Sequence, residues 1–191
     1  MTVVAAGLNN PRWLAFGPDG DLYVAEGGTG GTASTIGRCS QVPPPIGPYT
    51  GGFSASISRI SRQGTRTVVA SGLPSSQTAS RMSFVTGVAD VAFGPGGKLF
   101  ALIAGAGCSH GLAGTSNEIV RVHGDGSITT VADLSAFLAA HPAANPDAAD
   151  FEPDGTGMAF GPDGDLYVSV DGFGAPPGAG QVVSIAVSTD R

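Results

Sequence analysis

"AFGPDGDLYV" runs from Ala15 to Val24, and the same ten residues return at Ala159 to Val168. A looser copy, "AFGPGGKLFA", lies between them at Ala92 to Ala101. In each copy an apolar run ends in Ala-Phe, a Gly-Pro-x-Gly follows, and a second apolar run begins. Proline presets φ for a turn and glycine accepts positive φ, so Gly17–Gly20, Gly94–Gly97 and Gly161–Gly164 read as tight hairpin turns between two antiparallel strands. The anchoring residues Phe16, Phe93 and Phe160 stand 77 and 67 positions apart.

A third strand follows each hairpin after a variable loop: "SISRIS" at Ser56–Ser61, "EIVRVH" at Glu118–His123 and "QVVSIAV" at Gln181–Val187. A fourth follows in the first two units, "TRTVVAS" at Thr65–Ser71 and "SITTVAD" at Ser127–Asp133. Four short antiparallel strands at a long period describe propeller blades. Their strands are apolar on both faces because each blade stacks between neighbours. The expectation is an all-β, single-domain partial propeller. Its blades span about 12–70, 88–132 and 156–187. The stretch "TVVAAGL" at Thr2–Leu8 matches "TVVASGL" at Thr67–Leu73 in six of seven positions. Residues 2–6 are therefore expected to serve as the outer strand of a neighbouring or closing blade.

Propellers have four to eight blades, so three are half of a six-bladed ring. Either the chain is part of a longer propeller, the favoured reading, or two copies pair into one ring.

Composition fits this class. Glycine (31) and proline (14) are abundant, only 13% of residues are charged, and 41% are hydrophobic. That is a turn-rich folded chain and not a disordered one. The net charge of −6 without a basic patch argues against nucleic acid. No apolar run is long enough for a membrane-spanning helix. The opening "MTVVAAGLNNPRW" lacks the basic and apolar regions of a secretory signal.

Strand order puts the Gly-Pro turns on one face and the long loops on the other, the face where binding usually sits. This assigns Asp19, Asp21, Asp163 and Asp165 to turn chemistry. At the loop-rich channel mouth the candidate ligand-binding residues are Asn10, Arg12, Glu26, Asp90, Asp154, Thr156 and Asp171. Carboxylates and an amide converging on an axis suit a divalent cation such as calcium, although no cofactor is required by the pattern. A metal there would polarise a lactone carbonyl. Strand capping and channel solvation explain the same residues. No catalytic triad or metal-binding motif stands out, and His110, His123 and His141 are expected to be solvated. Trp13 is expected in the core. Arg59 and Arg121 occupy equivalent positions and suit a repeated packing or ion-pair role. Cys39 and Cys108 fall in equivalent loops of adjacent blades. They suit a disulfide, worth about 4 kcal/mol in the chain-entropy model, or two free thiols.

The stretches "GLNNPRWLAFGPDGDLYVAEGG", "SRISRQGTRTVVASGLPS", "GVADVAFGPGGKLFALI" and "EIVRVHGDGSITTVADLSAFLAAHPAANPD" together resemble the ScyD/ScyE family of NHL-like propellers. The resemblance implies a six-bladed, usually secreted bacterial protein. A further likeness, to gluconolactonase- and strictosidine-synthase-like propellers, implies metal-dependent hydrolysis. Where the family has an Asn-Pro-Tyr-Gly type motif, this chain has "EPDGTGM" at Glu152–Met158. Two functions remain open: a non-enzymatic propeller binding a small molecule, glycan or protein on its loop face, which is favoured, and a metal-dependent lactonase-like hydrolase. The family resemblance places the protein outside the cell or in the periplasm.

Overall fold

A computed structural model of the chain describes residues 1–79, 84–141, 154–171 and 180–187. The side chains of Asp154 and Asp171 lie outside that description, as do residues 188–191 of the third unit.

The elements run β1 (Pro11–Phe16), β2 (Leu22–Glu26), β3 (Thr50–Ile60), β4 (Arg66–Gln77), β5 (Val85–Thr86), β6 (Val88–Phe93), β7 (Leu99–Ile103), β8 (Glu118–Val122), β9 (Ile128–Asp133), α1 (Leu134–Ala140), β10 (Asp154–Phe160), β11 (Leu166–Asp171) and β12 (Gln181–Ile185). They form three antiparallel sheets in the orders β1-β2-β3-β4-β5, β6-β7-β8-β9 and β10-β11-β12. We call these blades 1, 2 and 3. Strand β6 packs against β1 on one side and β10 on the other, so the first strands gather about a common axis. This is part of a β-propeller.

The Gly-Pro turns close as their residues dictate. Gly20 N–H donates to Gly17 O at 2.9 Å, and the same bond recurs from Gly97 to Gly94 and from Gly164 to Gly161, both at 3.1 Å. Each first strand also carries a register shift at one place: between Pro11 and Leu14, Val88 and Asp90, and Gly155 and Gly157. Arg12, Ala89 and Thr156 occupy these irregularities, which bend a strand and re-aim its side chains.

Two apolar cores lie between the blades. The first joins Ala25, Ile57, Ala70 and Leu73 of blade 1 to Val91, Leu99, Ile103 and Val120 of blade 2. The second joins Phe100, Leu102, Ile119 and Leu134 of blade 2 to Leu166, Val168, Val170 and Val183 of blade 3. Cohesion therefore resides in the joints, as in any stacked repeat.

Residues 1–8 belong to none of the three sheets. Two local readings change. Trp13, expected in the core, is largely exposed, because it lies on the innermost strand beside an axis that three blades do not enclose. Strands β3 and β4 run past the blade as a hairpin arm, pairing Thr50 with Gln77 and Gly52 with Ser75. Small residues at Gly51, Gly52, Ser75 and Ser76 let the loops pack onto that arm.

Candidate functional site

The long-loop face is built on this arm. Gly31 lies so close to it that an added Cβ would meet Gly51 O at 2.3 Å. Ser75 Oγ, fully buried, donates to Gly27 O at 2.6 Å and accepts from Gly30 N–H at 2.9 Å. Ser54 Oγ donates to Gly30 O and accepts from Thr29 N–H. Ala33 and Gly51 exchange both backbone bonds at 2.9 Å. The glycine-rich loop after β2 is thereby laid flat.

A disulfide then ties this loop to the equivalent loop of blade 2. Cys39 and Cys108 are bonded, with Cα atoms 6.3 Å apart. Thr35 donates its hydroxyl to Cys108 O, and Leu112 packs over Gly51. His110 corrects an expectation of solvation. It is 3% exposed and its ring lies 4.9 Å from Tyr49. No periodic signal marked it, since it sits in a loop that only folding brings under Tyr49.

The turn acids behave as turn chemistry. Asp19 and Asp163 accept from the N–H two residues on, at 3.1 Å in both turns, and from Tyr23 and Tyr167. Arg59 bridges Asp19 and Asp21 at 3.2 and 2.7 Å. In blade 2 those acid positions are Gly96 and Lys98, so Arg121 does not repeat the ion pair.

Three of the predicted mouth residues come together at the loop end of blade 1. Asn10, with φ +53°, donates its amide to Gly28 O at 2.8 Å and accepts Gly27 N–H at 3.0 Å through its backbone oxygen. Arg12 lies beside Gly27 and over the Phe84 ring, 4.4 Å from its centroid. Partial burial holds the guanidinium pKa below its usual value. Glu26 is fully buried. It accepts from Asn9 N–H at 2.6 Å, from the Ser58 hydroxyl, and from Arg66 at 2.8 and 3.0 Å. Ser58 and Arg66 were missed in the sequence.

The others lie toward blade 3. Asp90 is 1% exposed and accepts from Val91 N–H and, across the joint, from Met158 N–H, both at 2.7 Å. Burial pushes its pKa up to about 6 against the pull of those two amides. Thr156 Oγ1 lies 2.9 Å from Ser169 Oγ. Asp154 and Asp171 are directly opposed across β10 and β11.

Among the described residues, no three His, Cys, Asp or Glu side chains come together as an ion site. Glu26 and Asp90 are already engaged by guanidinium, hydroxyl and amide donors. They do not fit as members of a calcium ligand set.

No protein-family profile matches the sequence, and no curated protein matches it either. Among solved structures the chain is similar to a PQQ-bound aldose sugar dehydrogenase from Streptomyces coelicolor, at 21% identity and a TM-score of 0.46 over 89% of this chain and 40% of that one. It is similar to a putative oxidoreductase (glucose dehydrogenase) from Thermus thermophilus, at 21% identity and 0.41 over 97% and 64%. It is also similar to a catalytically inactive virginiamycin B lyase from Staphylococcus aureus with quinupristin, at 12% identity and 0.33 over 94% and 56%. The chain spans 40–64% of the length of these structures. Likeness at this level assigns no chemistry to individual residues.

Proposed function

We propose that this chain is a non-enzymatic binding propeller of the ScyD/ScyE type, which takes a small molecule, glycan or protein on its long-loop face. The observation that carries this reading is the state of that face before any ligand arrives. Loops of two adjacent blades are laid on a hairpin arm and locked together by Cys39–Cys108. A surface ordered in advance spends little entropy on binding. Large apolar side chains stand out from it: Ile36, Phe53 and Phe84, the last stacked with Arg12. Aromatic rings on a rigid loop platform suit stacking against sugar rings or anchoring a protein. The disulfide suits a periplasmic or extracellular setting.

A glycan array and a small-molecule panel test it, read on the wild type, on Phe53→Ala and Phe84→Ala, and on the turn-face control Gln63→Ala. A specific hit weakened at least tenfold by the loop-face changes and untouched by the control supports the reading. Hits insensitive to the loop face overturn it.

A second reading, a metal-dependent lactonase-like hydrolase, has one observation in its favour: the directly opposed Asp154 and Asp171 at the mouth end of blade 3. Lactone turnover that requires calcium and disappears in Asp154→Asn would replace the binding reading.

A further inference from the structure

Two arginines of blade 1 are spent inside the fold. Arg59 bridges Asp19 and Asp21, and Arg66 is held against Glu26 at 2.8 Å. Arg12 is different. Among the described residues its guanidinium meets no carboxylate and donates no hydrogen bond, and it lies over the Phe84 ring, 4.4 Å from the centroid. Burial alone acts on its pKa, and lowers it. Five N–H donors are thus half-buried and unspent. A cation taken partly out of water without an anion costs stability. Groups held at such a cost concentrate at functional sites.

The backbone around Arg12 fixes its place. Asn9 O accepts Gly28 N–H at 3.1 Å, Asn10 O accepts Gly27 N–H at 3.0 Å, and the Asn10 amide donates to Gly28 O at 2.8 Å. Three bonds therefore clamp the entry of β1 to the exit of β2. The irregular register between Pro11 and Leu14 then re-aims the Arg12 side chain. At the matching irregularities of blades 2 and 3 stand Ala89 and Thr156, so the cation belongs to blade 1 alone. Arg12 Nε lies 3.4 Å from the Cβ position of Gly27, over bare backbone.

Phe84 is fixed in turn. Its N–H donates to Thr78 Oγ1 at 3.1 Å, and its carbonyl accepts Thr78 N–H at 2.9 Å. Its side chain is still 51% exposed. Gly27 opens the loop after β2, and Phe84 lies in the segment that carries the chain from blade 1 into blade 2. Arg12 is therefore held on the long-loop face, above the junction of these two blades.

Contact with a ring face consumes none of the guanidinium donors. A carboxylate matches their fork with two parallel hydrogen bonds. One cation on a chain of net charge −6 favours one negative charge over two, because the field of the whole molecule opposes the second. The exposed part of the Phe84 ring suits the apolar face of a sugar.

We propose that Arg12 and Phe84 form a subsite for a carboxylate-bearing ligand of the uronic-acid class. Arg12 takes the carboxylate and Phe84 packs against the ring carbons. This rests on the reading of the long-loop face as a binding surface, and it names the charge that the ligand carries.

Nuclear magnetic resonance on the full chain tests it by following the Arg12 Nε–Hε signal. Glucuronate is expected to move that signal. Glucuronamide, the same ring without the charge, is expected to leave it still, and glucose 6-phosphate is expected to bind more weakly than glucuronate. An Arg12 signal that glucuronate does not move overturns the proposal, as does glucuronamide or the phosphate binding as tightly as glucuronate. This titration needs no substitution. Arg12→Gln is expected to weaken glucuronate at least about tenfold, and Arg12→Lys nearly as much, because the fork is lost. Arg38→Gln removes the same charge from an exposed position of the loop after β2 and is expected to change nothing. Glucuronate bound equally well by Arg12→Gln also overturns the proposal. A neutral ligand that depends on Phe53 but not on Arg12 would overturn this subsite and leave the binding reading standing, whereas no ligand of any charge on the loop face would remove both.

Discussion

Blades 1 and 2 present equivalent faces to whatever precedes them, and the two faces have opposite chemistry. On blade 2 the inner positions are Ile103 and Val120, both fully buried against blade 1, flanked by Ile128. On blade 1 the same register positions are Glu26, Ser58 and Arg66, joined in one hydrogen-bonded network. The cover explains the difference. Blade 2 is covered by a sheet whose backbone groups are already paired, so only apolar area is on offer. Blade 1 is met by residues 7–9, which pair with no strand among the described residues and whose backbone groups need satisfying. The polar trio does this: Glu26 accepts Asn9 N–H at 2.6 Å and Arg66 donates to Gly7 O at 2.8 Å. One sheet position can be written in either chemistry, according to what packs on it.

The largest effect is expected from breaking the polar trio. Arg66→Ala leaves Glu26 buried without its cation, which costs about 3–5 kcal/mol. Urea denaturation checks it, and a loss below about 1 kcal/mol would mean that Glu26 is rehydrated. On the apolar face the corresponding change is Ile103→Ala, a cavity in the first joint costing about 3 kcal/mol.

The second joint sharpens the comparison, because the buried carboxylate of Asp90 reaches across it beside an apolar core. The Asp90 pKa is about 6 in the folded chain and about 3.9 when unfolded. Between these values the folded state binds more protons, so stability falls as pH rises from about 4 to 6 and is level above that. A shift of about two units bounds the effect at about 3 kcal/mol. Asp90→Asn is expected to flatten stability across this window, measured by urea denaturation at stepped pH. A slope unchanged in Asp90→Asn would assign it to other groups.

The propeller was legible because its signals are local and repeated. Gly-Pro-x-Gly fixes a turn wherever it occurs, and the apolar runs beside it have no other use than strands. The joints were legible only in part. Phe16, Phe93 and Phe160 aligned the blades, but the rings that meet Phe93 and Phe160, Tyr23 and Phe100, lie on the preceding blades. What meets the mouth acids was not legible, for a physical reason. Position along a strand predicts which end of the blade a carboxylate is near, not which donors reach it. Glu26 is met by Arg66, 40 residues away, and Asp90 by an amide 68 residues away. A signal for the first was present: Glu26, Ser58 and Arg66 are polar where the next unit has Ile103, Val120 and Ile128. Three polar exceptions in apolar columns mark one network.

The smallest change in stability, and the most direct attack on the comparison, is to write the chemistry of blade 2 onto blade 1: Glu26→Ile, Ser58→Val and Arg66→Ile together. Replacing a whole buried ionic network by apolar groups of similar volume is neutral or stabilising, unlike removing one member. Global stability is expected to stay within about 1 kcal/mol of the wild type or to rise. The local effect is expected to be the reverse. Asn9 N–H loses its acceptor and Gly7 O loses its donor, so amide exchange at Asn9 accelerates while that in β7 and β8 does not. If Asn9 stays protected in the triple variant, the segment is held by its own apolar contacts, and the polar trio would not be what receives it. If exchange accelerates at Asn9 alone, the two faces differ for the reason argued: one is made to meet a finished sheet, the other to satisfy a segment that no sheet of the described residues pairs.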